Sequence, residues 1–396
     1  MVLDVIFGGF GVLSGALLIW QWLAARPFPL HQRAPAHSFP PGVTLLKPLK
    51  GCDFETLESL RSWFAQDYTG RVQILFGVSA ADDPVCEIVR GLQSEFPQTD
   101  SSLIVCGPLQ GTNAKLSKIA QLEPLAKHQF LIISDADVRV SSDFLANFVE
   151  PLRVSRIGKG PDSGGSPSPV EKTSGLVCCF YRLANPTTLA MQWEGITINA
   201  DFWSQVLQSR TLKPLDFALG AVMGTHRAIL REIGGFAAFS NCLADDYQLG
   251  NRIAAQGYKI ELSTVVVDCF GSSMNWPAVW KHQIRWARTI RVCQPVPYFF
   301  SILSNPTLWP LAWLAVRPEP WVLNVSLSIL AVRIIAALDL QRRLTRSRKH
   351  FVYWWLVPLR DLLQAVIWFL AFTGNTIEWR GQRMRLNRDG TLERKN

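Results

Sequence analysis

Apolar residues crowd the two ends of the chain, while its middle alternates short apolar blocks with amphipathic ones. Residues 5–25 are broken mainly by Ser14 and Gln21, a length that suits one crossing of a hydrocarbon core of about 30 Å. A cleaved signal peptide is the competing reading, but Asp4 rather than a basic cluster precedes the run, and the apolar part is too long. Arg26, His31 and Arg33 follow it, which places the next segment on the cytosolic side. After a Pro-rich linker, 34–42, the pattern predicts strands at 43–46, 72–78, 102–106 and 130–134 and helices at 54–64, 84–96 and 115–126. That alternation implies an α/β domain with a mostly parallel sheet, whose ligands bind beyond the carboxyl ends of the strands. Residues 155–175 read as a Gly/Ser/Pro-rich surface loop, 176–181 as a further strand, and no internal repeat is visible. Beyond about Asn275 the chain turns aromatic and basic, then apolar, with membrane candidates at 302–316, 321–338 and 351–372. The first two make a hairpin; Arg360 and Asp361 inside the third argue that it is re-entrant or interfacial.

The hydrophobic fraction of 48% and the 15 Trp agree with membrane attachment. The net charge of +9 admits nucleic acid as a partner, but Arg342, Arg343, Arg346, Arg348 and Lys349 flank an apolar segment and fit anionic lipid better. No nucleic-acid motif is present. The eight Cys form no CxxC pair, so they read as reduced, buried residues rather than a metal site.

The sharpest chemical signal is an apolar strand running into Asp135-Ala136-Asp137. Two carboxylates on a strand-end turn can converge on Mg²⁺ or Mn²⁺, which would neutralise a departing diphosphate; a plain Asp-capped turn is the alternative. Asp245-Asp246 suits a general base, crowding and burial raising a carboxyl pKa, or else an acidic helix start. His282, Arg285 and Trp286 share one amphipathic helix, where they could grip a diphosphate and an acceptor, or simply anchor the helix at an interface. Asp82 and Asp83 follow a strand, and Asn113 and Lys115 open a helix; a nucleotide could meet either place, and both also occur as ordinary loops.

In this order the motifs resemble the processive-type inverting glycosyltransferases of the GT-A fold, and more closely the ceramide glucosyltransferase family, glycosyltransferase family 21. The stretches carrying the likeness are Leu46-Lys47-Pro48-Leu49-Lys50-Gly51, Gly111-Thr112-Asn113-Ala114-Lys115, Ala244-Asp245-Asp246-Tyr247, Ile284-Arg285-Trp286 and the tail around Trp379-Arg380-Gly381. His282 departs from the Gln or Arg of the broader motif, and Asp245 from the Glu of animal ceramide enzymes; His282 and the run Trp286-Ala287-Arg288-Thr289 look more like a bacterial branch linked to hopanoid lipids. The resemblance implies donor contacts from Lys50, Asp82, Asp83, Asn113, Lys115 and Asp135, metal ligation by Asp135 and Asp137, catalysis by Asp246 with Asp245, and acceptor or diphosphate contacts from His282, Arg285 and Trp286.

The implied organisation is an anchor (1–33), a GT-A nucleotide-sugar-binding domain (34–274), an interfacial helix (275–300), C-terminal membrane segments (301–375) and a basic cytosolic tail (376–396). The implied reaction moves one hexose from a UDP-sugar, of UDP-glucose type, to a membrane lipid hydroxyl with inversion, at a cytosolic site on a bacterial inner membrane. Alternatives are a hopanoid glycosyltransferase using UDP-N-acetylglucosamine, a processive polysaccharide synthase, and a non-catalytic membrane scaffold.

Overall fold

The computed structural model describes residues 2–33, 40–154, 173–379 and 382–394; most of the Pro-rich linker, most of the 155–175 loop, and Arg380 and Gly381 lie outside the described residues. The chain divides into two compact units: Pro29–Tyr181 with Pro214–Ser272, and Met1–Phe28 with Arg182–Lys213 and Ser273–Asn396.

The first unit is built on a mixed sheet of β1 Val43–Pro48, β2 Val72–Val78, β3 Asp100–Val105, β4 Phe130–Ser134, β5 Val138–Arg139, β6 Ser174–Leu183, β7 Val222–His226 and β8 Lys259–Cys269, in the order β3-β2-β1-β4-β7-β6-β8-β5. The first four strands in that order run parallel, with Leu45 in register with Ile74 on one side and Ile132 on the other. β1 is buried at every position, as a parallel strand covered on both faces is, and its two polar residues, Thr44 and Lys47, are hydrogen-bonded inside. Helices Thr56–Phe64, Val85–Glu95 and Ala114–Leu122 make the crossovers. Trp63, Phe76, Phe144 and Phe148 fill the core, Trp63 meeting Phe144 edge-on at 5.4 Å. β7 pairs antiparallel with β4 and with β6, and β5 antiparallel with β8. All the chemistry-bearing turns discussed below follow the carboxyl ends of β1 to β4 or face them from the β7 side.

Between β6 and β7 the chain leaves the sheet. Residues 182–213 belong with the helical unit rather than with the sheet, because Trp203–Arg210 packs on the N-terminal helix Val2–Ala25: Gln21 donates to Ser204 at 2.7 Å and Gln208 to the Leu17 carbonyl at 3.1 Å. Val2–Ala25 and Pro320–Thr345 are each long and apolar enough to cross a membrane. Gly8 lets Trp313 lie directly on the first of these; a Cβ there would come within 2.9 Å of the indole. The expected first arm of the C-terminal hairpin is two helical pieces, Pro295–Ser304 and Leu308–Val316, bent by 53° where Asn305 and Pro306 interrupt the ladder. The third candidate is helical over Leu356–Phe372, and Arg360 and Asp361 within it are buried in protein. Arg333 bridges Asp201 and Asp361 at 2.8 Å each, and Arg360 reaches Asp201 at 3.1 Å. The basic tail is folded: β9 Thr376–Trp379, β10 Gln382–Leu386 and β11 Leu392–Arg394 form an antiparallel sheet, with Met384 and Leu386 buried.

Candidate active site

One lysine joins the two acidic motifs. Asn113 caps the helix Ala114–Leu122, its side-chain oxygen accepting from the backbone N–H groups of Lys115 and Leu116 while its amide donates to the Cys242 carbonyl at 2.8 Å. Thr112 N–H donates to Asn241 Oδ1 at 3.0 Å, and Asn113 N–H to the Ser240 carbonyl at 2.9 Å. Gly111, at φ +82°, allows this approach, since a Cβ would sit 2.7 Å from the Ser240 carbonyl oxygen. The loop before Lys115 is thereby stitched to the loop that leads into the helix Asp245–Ala255. Lys115 Nζ then lies 2.7 Å from Asp135 Oδ1 and 2.8 Å from Asp245 Oδ2. Burial alone would lower the lysine's pKa; the two carboxylates outweigh it and hold the pKa above its ordinary value.

The other two carboxylates have no ion pair among the described residues. Asp137 keeps solvent access, while desolvation first and the Asp135 charge second push its carboxyl up to about 6. Asp246 is pushed to about 6 by desolvation and then by Asp245, while its Oδ1 accepts from the Tyr247 N–H at 2.8 Å. Gly220 leaves room for that carboxylate: a Cβ there would approach Asp246 Oδ2 to 2.8 Å.

Lys47 was not singled out from the sequence, yet it shapes the same turn. It is fully buried at the end of β1, donating to Ser134 Oγ at 3.1 Å and to the Asp135 carbonyl at 2.5 Å, with Nζ 5.0 Å from the Trp63 ring centroid. Desolvation pulls its pKa down to about 7. Its signal was a lysine inside a mostly apolar strand. The site thus gathers four carboxylates around Lys115 and Lys47, a surplus of negative charge that a divalent cation would relieve. Asp135 and Asp137 supply two hard oxygen ligands, and among the described residues no group of three or more His, Cys, Asp or Glu is placed to hold a metal ion by itself. Two carboxylates with the rest left to phosphate and water is the pattern of a Mg²⁺ or Mn²⁺ site.

Asp83 is occupied with backbone: both its carboxylate oxygens accept from Gly51 N–H, at 3.0 and 3.1 Å, and Oδ1 also from Val85 N–H at 3.1 Å. It ties the turn after β1 to the start of the next helix, beside exposed Lys50 and Asp82. A cavity of about 420 Å³ opens beyond the ends of β2 and β3, lined by Ser79, Cys106, Gly107, Ala114 and Lys118 among others. His282, Arg285 and Trp286 lie in the helical unit, on the helix Trp276–Cys293. There His282 Nδ1 donates to Glu194 Oε1 at 2.6 Å, and its ring lies tilted against Trp286 with centroids 4.5 Å apart. Gln283 donates to the same Oε1 at 2.8 Å, and Oε2 of the buried Glu194 has no partner. Glu194 was missed from sequence; its only signal was a carboxylate in an apolar helix, Leu189–Ile196.

Comparison with known proteins shows the family and the fold. The sequence model for Glycosyl transferase family 21 matches residues 10–159 and 168–392. Ceramide glucosyltransferase 3 of Caenorhabditis elegans is 22% identical over 386 residues, covering 93% of this chain and 78% of the relative. A ceramide glucosyltransferase of Candida albicans is 32% identical over 122 residues, 28% of this chain and 22% of the relative. Among solved structures, the mannosyltransferase PcManGT of Pyrobaculum calidifontis, in complex with GDP-Man and Mn²⁺, shares the fold with a TM-score of 0.50 at 20% identity, over 92% of this chain and 98% of that one. The mixed sheet is of the GT-A kind, and the chain is a glycosyltransferase belonging to glycosyl transferase family 21.

Proposed function

We propose that the protein transfers one hexose from a UDP-sugar, of UDP-glucose type, to the hydroxyl of a membrane lipid, with inversion at the anomeric carbon. The observation that carries this reading is the clamp at Lys115, which gathers Asp135 and Asp245 and leaves Asp137 and Asp246 without cations of their own. Asp246 takes the proton from the acceptor hydroxyl; the oxygen attacks the anomeric carbon as the bond to the diphosphate breaks. Asp135 and Asp137 would hold Mg²⁺ or Mn²⁺, which when bound neutralises the leaving diphosphate. Lys47 fixes the turn that carries both carboxylates. Lys50, Asp82 and the cavity beyond β2 and β3 lie where the nucleoside would be held, with Asp83 and Asn113 setting the loops around it. His282, held by Glu194, with Arg285 and Trp286, serves the acceptor or diphosphate.

The ceramide glucosyltransferase relatives favour a sphingoid acceptor; the His282 departure is what favours a hopanoid acceptor with UDP-N-acetylglucosamine. The two spans and the basic flanks support a cytosolic site on a bacterial inner membrane. Incubating the purified protein with labelled UDP-glucose, UDP-galactose and UDP-N-acetylglucosamine against ceramide and hopanoid acceptors, with mass analysis of products, decides the matter. One hexose per lipid is expected. A polymer would show a processive synthase instead, and no product from any pairing would remove the donor–acceptor assignment.

A further inference from the structure

Arg288 and Arg291 stand one turn apart on the helix Trp276–Cys293, and neither guanidinium meets a carboxylate among the described residues. Arg288 donates through Nη1 to the Thr376 carbonyl, and Arg291 through Nη2 to Asn375 Oδ1; both partners are neutral. The Nε–H of each is buried without a partner. Burial and then the Arg291 charge lower the pKa of Arg288, so two like charges are held close in partly desolvated surroundings. Glu378, on adjoining β9, is taken by Lys281 at 3.0 Å.

Arg291 opens onto a cavity of about 440 Å³, also lined by Phe372, Gly374, Arg385 and Arg388 and by no carboxylate. Three arginines therefore line one space that no carboxylate lines, with Arg385 standing opposite Glu393 in the β10–β11 ladder. We propose that this cavity binds a phosphate oxyanion, through the guanidinium forks of Arg291, Arg385 and Arg388. Arginine suits the task because its planar donors match phosphate oxygens in pairs. The cavity also has an apolar side: Phe372 ends the apolar helix Leu356–Phe372, and its ring lies 5.6 Å from the Arg291 guanidinium. An anionic phospholipid would seat its phosphate among the arginines and its chains toward that helix, whereas free phosphate would use the guanidiniums alone. The site uses none of the residues assigned to donor or acceptor.

The test takes the full-length protein in neutral detergent. Native mass spectrometry counts phosphatidylglycerol and phosphatidylcholine bound, and thermal unfolding is followed with inorganic phosphate and pyrophosphate. Wild type is expected to retain one phosphatidylglycerol in preference to phosphatidylcholine, and R385Q/R388Q to weaken that binding at least tenfold. R346Q/R348Q, which loses the same charge elsewhere on the surface, is expected to bind as wild type does. Protection of wild type by phosphate or pyrophosphate without lipid preference, lost in R385Q/R388Q, assigns the site to soluble phosphate. Equal binding by wild type and R385Q/R388Q in every arm, or equal weakening in both double variants, overturns the proposal. Transfer assayed in phosphatidylcholine is read separately, so failure of the donor–acceptor assignment leaves this binding result intact.

Discussion

Asp246 owes its basicity to where it sits: desolvation and Asp245 push its carboxyl to about 6, and Gly220 leaves the space it occupies. A group acting as base must be ionised, so kcat/KM is expected to fall as pH drops through about 6. Asp246→Asn should lower kcat by roughly 10²–10⁴-fold, and its residual activity should lose that acid limb. Stopped assays of both variants across pH 5–8 check this; an inactive Asp245→Asn beside a normal Asp246→Asn would move the role to the neighbour. Asp135→Asn should abolish metal-stimulated transfer with unchanged circular dichroism, and wild type should stop in excess EDTA. Full activity in either case removes the metal assignment. At this scale each acidic motif by itself also reads as a turn or a helix start, and the two were legible because they recur in order with the other family stretches. Lys47 and Glu194 were not, because one charged residue in an apolar run carries no sign of the partner that makes it tolerable, and Asp83 and Asn113 gave no sign that backbone amides would claim them.

Among the elements, the parallel strands and their crossovers were readable, since a strand covered on both faces is mostly apolar. The antiparallel β5 to β8 half was harder: β6 and β7 are separated in sequence by residues that belong to another unit. The helix Leu356–Phe372 carries its own lesson. Arg360 and Asp361 looked too costly for a membrane segment, and the structure supplies Asp201, from the π-helical turn Thr197–Phe202, and Arg333 as their partners. Arg333→Met would leave Asp201 and Asp361 buried against a single remaining guanidinium, at a cost of about 3–5 kcal/mol. Thermal unfolding in detergent should register a large downward shift, and no shift would show the network to be dispensable.

For the whole molecule, the placement of basic residues sets the expected number of membrane crossings. The basic residues after each of Val2–Ala25 and Pro320–Thr345 favour the same, cytosolic side, which requires the bent pair Pro295–Ser304 and Leu308–Val316 to act as one crossing. Single cysteines placed at 346 and 388 on a Cys-free background should both resist an impermeant maleimide in intact cells. Labelling at 346 would make the bent pair re-entrant; labelling at 388 would make Leu356–Phe372 a full crossing.

Sequence alone determined the terminal apolar helices, the parallel half of the sheet and the order of the acidic motifs, because each is a local matter of periodicity or of residues adjacent in the chain. Only the tertiary structure decided that Lys115 joins Asp135 to Asp245, that His282 rests on Glu194, that the tail folds into β9 to β11, and that Arg291, Arg385 and Arg388 share a cavity. The Lys115 and His282 pairings span from 20 to more than a hundred residues of chain, whereas the tail strands pair within about ten. What selects them is the desolvation of each charge against its partner, a quantity that does not exist until the chain is folded.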